Sequence, residues 1–194
     1  MPRQVDHEQR RREIAEATWR AIDELGVEGT SMRAIAERAG CTTGRLTHYF
    51  ARREDMLVAA LRMAHARAGE RMLRAVRGAT GRDALRAVLL EALPLDDERR
   101  TEWKVWLTFW AQAIGTEALQ LENERRYAEW RSLVVEHVRT AAPGWSRDEA
   151  VRVADALIAT VDGLGVEATV VPGAATLRRA RRVIDAQLAL AFPG

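Results

Sequence analysis

Two groups of residues have side chains and spacing suited to chemistry. The first is Thr43, Gly44, Arg45, Thr47 and His48. On a helix from about Thr43 to Phe50 these five share the outward side, while Leu46 turns inward. All are small or polar and none is a carboxylate, so the face can accept an anion. An arginine there can bridge guanine, and a threonine can offer a base its hydroxyl or a thymine its methyl. The second group is Trp103, Trp106 and Trp110, at spacings of three and four, with Phe109 beside them. Six tryptophans against two tyrosines and three phenylalanines is a lopsided choice of aromatics, and it leaves room for a face that takes cations. A cation held against indole gains roughly 0.5 to 2 kcal/mol per contact. The same stripe also fits plain core packing, the usual fate of aromatics at this spacing.

The first group needs a scaffold, and the stretch around it supplies one. Residues Thr30 to Arg53 read TSMRAIAERAGCTTGRLTHYFARR, two short helices joined by a tight turn. Ala34, Ile35, Ala39 and Leu46 are spaced to face inward, Gly40 sits where the chain must reverse, and Thr42 is placed to cap the second helix. A glycine turn between helices is also common where nothing but packing is at stake. A preceding helix from His7 to Leu25, with Ile14, Thr18, Ala21 and Ile22 on one face and Gly26 at its end, should pack across the pair. Trp19 is expected at the edge of that small core, and Cys41 as a small buried hydrophobe.

The following helix, about Glu54 to Arg77, carries a continuous apolar stripe and presents Arg52 and Arg53 at its start, where the backbone N–H groups favour phosphate. Further helices are expected at 83–93, 102–115, 117–141, 147–170 and 174–192, with LDDERR (95–100) as a polar loop. No alternating strand pattern is present. The fold class is therefore all-α with about nine helices. Residues 1–53 form a three-helix helix-turn-helix domain, and 54–194 a helical ligand-binding and dimerisation domain. The last two helices are more apolar than one buried face requires, which predicts a homodimer through 147–192.

Composition narrows the classes. The 194 residues are 47% hydrophobic and 30% charged, a globular balance, and no apolar run is long enough to span a membrane. The net charge is only +2, so basicity must act locally. Residues 1–53 hold ten arginines, Arg3 among them, against eight acids. A single cysteine and no apolar leader point to the cytoplasm. His7, His48, His65 and His137 lie on separate helices, without the spacing of a metal site; nucleotide loops and nucleophile elbows are absent too. No catalytic residue, metal or cofactor is expected.

Three matches, T-x-x-x-x-I-A at Thr30 to Ala36, the AGCTTG turn at Ala39 to Gly44 and HYF at His48 to Phe50, resemble the TetR family of bacterial transcription regulators. The order of helices and the length agree over the whole chain. The resemblance implies operator contacts at Arg33, Thr42, Thr43, Gly44, Arg45 and Thr47, with His48, Tyr49 and Arg53 near phosphates. Thr47 departs from a common family tyrosine. The run Lys104-Val-Trp-Leu-Thr-Phe-Trp-Ala and Val161-Asp-Gly-Leu are similar to choline-responsive BetI-type repressors, although Gly165 stands where such relatives tend to carry a bulky aromatic.

That similarity implies a small-molecule inducer of the quaternary-ammonium class, and the residue chemistry makes Trp103, Trp106, Phe109, Trp110, Gln112, Trp130 and Asp162 its candidate contacts. Glu102, Glu117 and Glu167 are further polar candidates. Asp162 interrupts an apolar helix, where a buried carboxylate requires a partner. The expected function is a homodimeric, ligand-responsive repressor of a double-stranded, pseudo-palindromic operator. The alternative is an all-α binding protein or enzyme whose helix-turn-helix only packs.

Overall fold

A computed structural model describes the backbone of residues 2–193 and the side chains of residues 7–26 and 28–193. The side chain of Arg3 lies outside the described residues. Nine helices and no strand occur among them: α1 (Pro2–Gly29), α2 (Met32–Arg38), α3 (Thr43–Tyr49), α4 (Arg53–Ala75), α5 (Gly81–Glu91), α6 (Asp97–Ala113), α7 (Glu117–Ala141), α8 (Arg147–Val170) and α9 (Ala174–Ala191). They form two compact units. The first takes residues up to Ala66 with Lys104–Asn123, and the second takes Arg67–Trp103 with the chain from Glu124 onward.

Two boundaries differ from the sequence reading. The first helix continues past Leu25 to Gly29, but Gly26 breaks it with φ 68°, so the helical dihedrals stop where the glycine predicts an end. The segment 95–100 is mostly helix, because α6 begins at Asp97. Asp96 Oδ1 accepts from Arg99 N at 2.8 Å, an N-cap, and Asp97 and Glu98 occupy the first turn, where acids suit the exposed N–H groups. What reads as a polar loop is a helix start.

Two hydrophobic clusters hold the first unit. Ile14, Ala17, Ala21, Ile35, Ala36, Leu46, Phe50 and Met56 bury together, with Cys41 packed half-buried against them. Trp19 joins the other cluster, with Ile22, Leu57, Leu61, Val105, Phe109 and Leu119, and so belongs to a core that includes α4 and α6. In the second unit α9 packs on α8 and α5. Trp145 stacks on Phe192 at 5.0 Å, and Arg82 donates to the Phe192 carbonyl at 2.6 Å, fastening the end of α9. Val166, Val170, Val171 and Leu190 on α8, its end and α9 remain exposed.

The second unit also buries charge. Glu102 is 4% exposed and forms a two-armed ion pair with Arg71, which reaches Glu91 as well at 3.4 Å. Burial pushes the Glu102 carboxyl above its usual range in spite of Arg71. Removing one partner of such a pair strands the other, at a cost of about 3 to 5 kcal/mol. Arg71→Met should therefore lose several kcal/mol in denaturant unfolding at pH 7, and less at pH 5, where a stranded Glu102 can take up a proton. An equal loss at both pH values would show that lost packing, and not stranded charge, is the cause.

Candidate nucleic-acid interface and ligand groove

The helix-turn-helix forms as its residues require. Ser31 caps α2 by accepting from Ala34 N at 3.2 Å. Gly40, at φ 60°, takes the left-handed turn, and Cys41 N donates to Ala36 O at 3.0 Å to close it. Thr42 Oγ1 then accepts from Arg45 N at 3.2 Å and caps α3. Leu46 is fully buried, while Thr42, Thr43, Gly44, Arg45, Thr47 and His48 are exposed and Tyr49 is half-buried. Arg33 is exposed on α2. Thr47 spends its hydroxyl on Gly44 O at 2.9 Å, leaving its methyl as the outward chemistry.

Gly44 is informative because nothing in the fold demands it. A Cβ there would meet only Thr42 Oγ1, at 4.0 Å, and its backbone is helical. A helical glycine costs about 0.5 to 1 kcal/mol relative to alanine. The missing side chain leaves room on the outside, as a close-approaching partner needs.

Arg53 is half-buried, and its guanidinium is turned into the protein. Nε donates to Thr30 O at 2.6 Å and Nη1 to Gln112 Oε1 at 3.2 Å. Two residues expected at separate sites, Arg53 on DNA and Gln112 on a ligand, thus meet each other. Lys104 on the same α6 donates to Asp23 Oδ1 and to the Asp23 carbonyl, at 2.5 and 3.2 Å, and Arg62 pairs with buried Glu122 at 2.8 Å. These contacts fasten α6 and the start of α7 to α1 and α4 within the first unit.

The aromatic residues divide between the units. In the first, Trp106 lies 6.0 Å from Trp110 and 6.4 Å from His65 by ring centroids, and Trp110 Nε1 donates to Asn123 Oδ1 at 3.0 Å. Phe109 is buried in the core cluster. In the second, Trp103 is buried and donates through Nε1 to Ala92 O at 2.8 Å. Trp130 is half-buried on α7. The Trp103 ring explains Gly165: a Cβ on that glycine would lie 2.0 Å from the indole. Where an aromatic would otherwise project from α8, here the indole of α6 fills the space.

The polar candidates are also sorted. Glu102 pairs with Arg71, Glu167 with Arg179, and Glu117 is exposed at the start of α7. Asp162 is different. Tyr127 Oη donates to its Oδ2 at 2.7 Å, and among the described residues no cation pairs with it. Burial raises the Asp162 carboxyl above the usual range, although the tyrosine hydrogen bond opposes this. Burial and the neighbouring carboxylate likewise raise the Tyr127 phenol. The pair lines an open groove of about 330 Å³ between α7 and α8, with Ala128, Arg131, Asp155, Ile158 and Ala159; Arg131 and Asp155 neutralise each other at 2.6 Å. The partner required by Asp162 is thus Tyr127, one of only two tyrosines, a pairing that spans 35 residues and leaves no local signal.

A family model for bacterial regulatory proteins of the tetR family matches residues 14–60, and one for the C-terminal part of BetI-type transcriptional repressors matches residues 81–193. The chain belongs to the TetR family. This TetR-family chain is 34% identical over 186 residues to the HTH-type transcriptional regulator PksA of Bacillus subtilis, covering 95% of the chain and 90% of that protein. It is 32% identical over 200 residues to the regulator BetI of Burkholderia thailandensis, covering 97% and 98%. Among solved structures, a transcriptional regulator from Rhodococcus superposes with a TM-score of 0.83 at 28% identity, over 93% of this chain and 95% of that one. A regulator from Saccharomonospora viridis, solved in complex with choline, gives 0.81 at 25%, over 92% and 95%. The TetR-family chain is accordingly a transcriptional regulator with the all-α fold expected. Among the described residues no group of acids, histidines or cysteines is placed to hold a metal, and no helix is long and apolar enough to cross a membrane.

The tight seat of Trp103 is testable in the free protein. Gly165→Ala must push the indole off its position against Ala92, and overpacking of this kind costs about 1 to 3 kcal/mol. Tryptophan-monitored guanidinium unfolding should show that loss together with a shifted native emission; unchanged stability would mean the ring has room to move.

Proposed function

We propose that this regulator is a cytoplasmic homodimeric repressor that reads a pseudo-palindromic operator and is released from it by a small organic cation. The observation that carries the reading is the outer face of α3, where every exposed residue can face a base edge or a phosphate and the one glycine leaves an opening the fold does not need. Residues 1–53 would be the DNA-binding domain, and 54–194 the ligand-binding and dimerisation domain. Thr43, Gly44, Arg45 and Thr47 would address bases; Arg33, Thr42, His48 and Tyr49 would lie along the backbone; Arg53 would act by holding the first turn of α4 against Thr30. The exposed valines and Leu190 of 147–192 support the dimer, because apolar patches on helix faces rarely stay uncovered. Two-fold symmetry in the protein would be mirrored in the DNA, with half-sites a multiple of about 34 Å apart.

For the inducer, the groove at Tyr127 and Asp162 offers what a quaternary ammonium ion needs. It combines an aromatic face, apolar walls and one carboxylate without a counter-charge. The choline complex of the Saccharomonospora viridis regulator supports this class of ligand. Trp103 and Trp130, in the same unit as the groove, would shape the helices around the ligand. A useful switch needs a ligand affinity that differs between the DNA-bound and free states by about 1 to 3 kcal/mol.

Selection of bound genomic fragments should recover a dyad sequence, and choline should release it. On the selected fragment, Arg45→Ala should relax base preference. Gly44→Ala should keep or raise the melting temperature while weakening DNA binding; retained affinity would show that nothing approaches the helix there. Choline binding must favour the ionised form of Asp162, whose carboxyl titrates above the usual range. Choline affinity should therefore fall as the pH drops through that window and level off above it. Asp162→Asn should abolish the thermal shift with choline. If wild type and variant respond alike at millimolar choline, the groove is not the site.

A further inference from the structure

The start of α1 carries a feature that the helix-turn-helix reading does not use. The His7 ring lies 4.8 Å from the Tyr49 ring and 6.3 Å from the His48 ring, and His48 lies 5.3 Å from Tyr49. Two exposed imidazoles from separate helices, α1 and the last turn of α3, therefore stand side by side. One turn further along α1, Arg11 donates to the Tyr49 carbonyl and covers the Phe50 ring at 4.1 Å, which pins α1 against the end of α3. Among the described residues, the Tyr49 ring from α3 meets both imidazoles, and Arg11 from α1 reaches the Tyr49 carbonyl beside them. Along α1 the sequence places Asp6 and Glu8 on either side of His7; among the described side chains Glu8 is exposed and Glu13 is paired with Arg10 at 2.6 Å.

We propose that His7 and His48 form a two-imidazole phosphate clamp at the edge of the DNA-reading face, which takes up protons as duplex DNA binds. The clamp rests on the DNA-binding role proposed above. It extends the interface to α1, beyond the helix-turn-helix. Histidine is the side chain whose charge ordinarily changes between pH 5 and 8. A phosphate laid across two imidazoles at this separation, with Arg11 next to them, favours their protonated forms. Binding is then linked to proton uptake, so affinity rises as the pH falls through the histidine range. Since each ring contacts backbone and not bases, the effect is independent of sequence.

The test uses the full-length protein and a fluorescein-labelled random-sequence duplex, with affinity read by anisotropy from pH 6 to pH 8. Wild-type affinity should rise about tenfold or more from pH 8 to pH 6, the mark of an average uptake of about half a proton or more on binding over that range. His7→Gln should reduce that rise, and at pH 6 should lower the salt slope by about one. His7→Lys, which holds its charge, should bind tightly at pH 8 and restore the steeper slope. A His7→Gln variant that weakens binding equally at every pH would make His7 a packing residue and overturn the clamp, as would a wild-type affinity indifferent to pH. If the wild type binds neither this duplex nor any selected fragment, the DNA-binding role itself fails, and the clamp with it.

Discussion

A helix of seven residues cannot hold its shape alone in water, and α3 is such a helix. What keeps it folded is the burial of Leu46 among Ile14, Ala17, Ala21, Ile35, Ala36, Phe50 and Met56. Leu46, with half-buried Tyr49 packed beside that cluster and the caps at Thr42 and Phe50, carries the helix, so the positions from Thr43 to Arg45 and at Thr47 and His48 are released from duty to the core. That freedom is why the outer face can consist of threonines, an arginine, a histidine and a glycine that lowers helix stability. The small core of α1 to α3 and the start of α4 is thus the condition for the surface it displays.

Polar contacts then decide what this core is attached to. Lys104 grips the end of α1 at Asp23, and Gln112 holds Arg53, so two positions of α6 fasten both flanks of the helix-turn-helix. In the second unit two desolvated carboxylates meet different fates. Glu102 has the Arg71 guanidinium and is a closed structural pair, whereas Asp162 has a tyrosine hydroxyl, which supplies a hydrogen bond but no charge. A hydrogen bond satisfies the buried oxygen and leaves the electrostatic demand in place. That contrast leaves the charge of Asp162 uncompensated where that of Glu102 is met.

Much of this was legible along the chain. Helical periodicity located all nine helices, and the glycines at 26 and 40 marked real breaks in the backbone. The start of α6 was missed because five polar residues in a row hide the N-cap at Asp96 that organises them. The outward residues of α3 followed from one buried leucine. The ligand residues were less legible, since a stripe of tryptophans has the same spacing whether it lines a pocket or a core. The structure gives them separate roles: Phe109 in a core cluster, Trp103 against Gly165, Trp110 on Asn123.

The sequence by itself determined the class of fold, the order of elements and the side of each helix that turns inward. These follow from relations between residues three and four apart, which any stretch of chain carries within itself. Only the tertiary structure decided the partners: Tyr127 for Asp162, Gln112 for Arg53, Asp23 for Lys104, and His7 beside His48. These pairs lie 35, 59 and 81 residues apart in the first three cases, and nothing in the local pattern of either member names the other. Their meeting depends on how whole helices cross. That crossing is set by the summed burial of many side chains and not by the polar residues that profit from it.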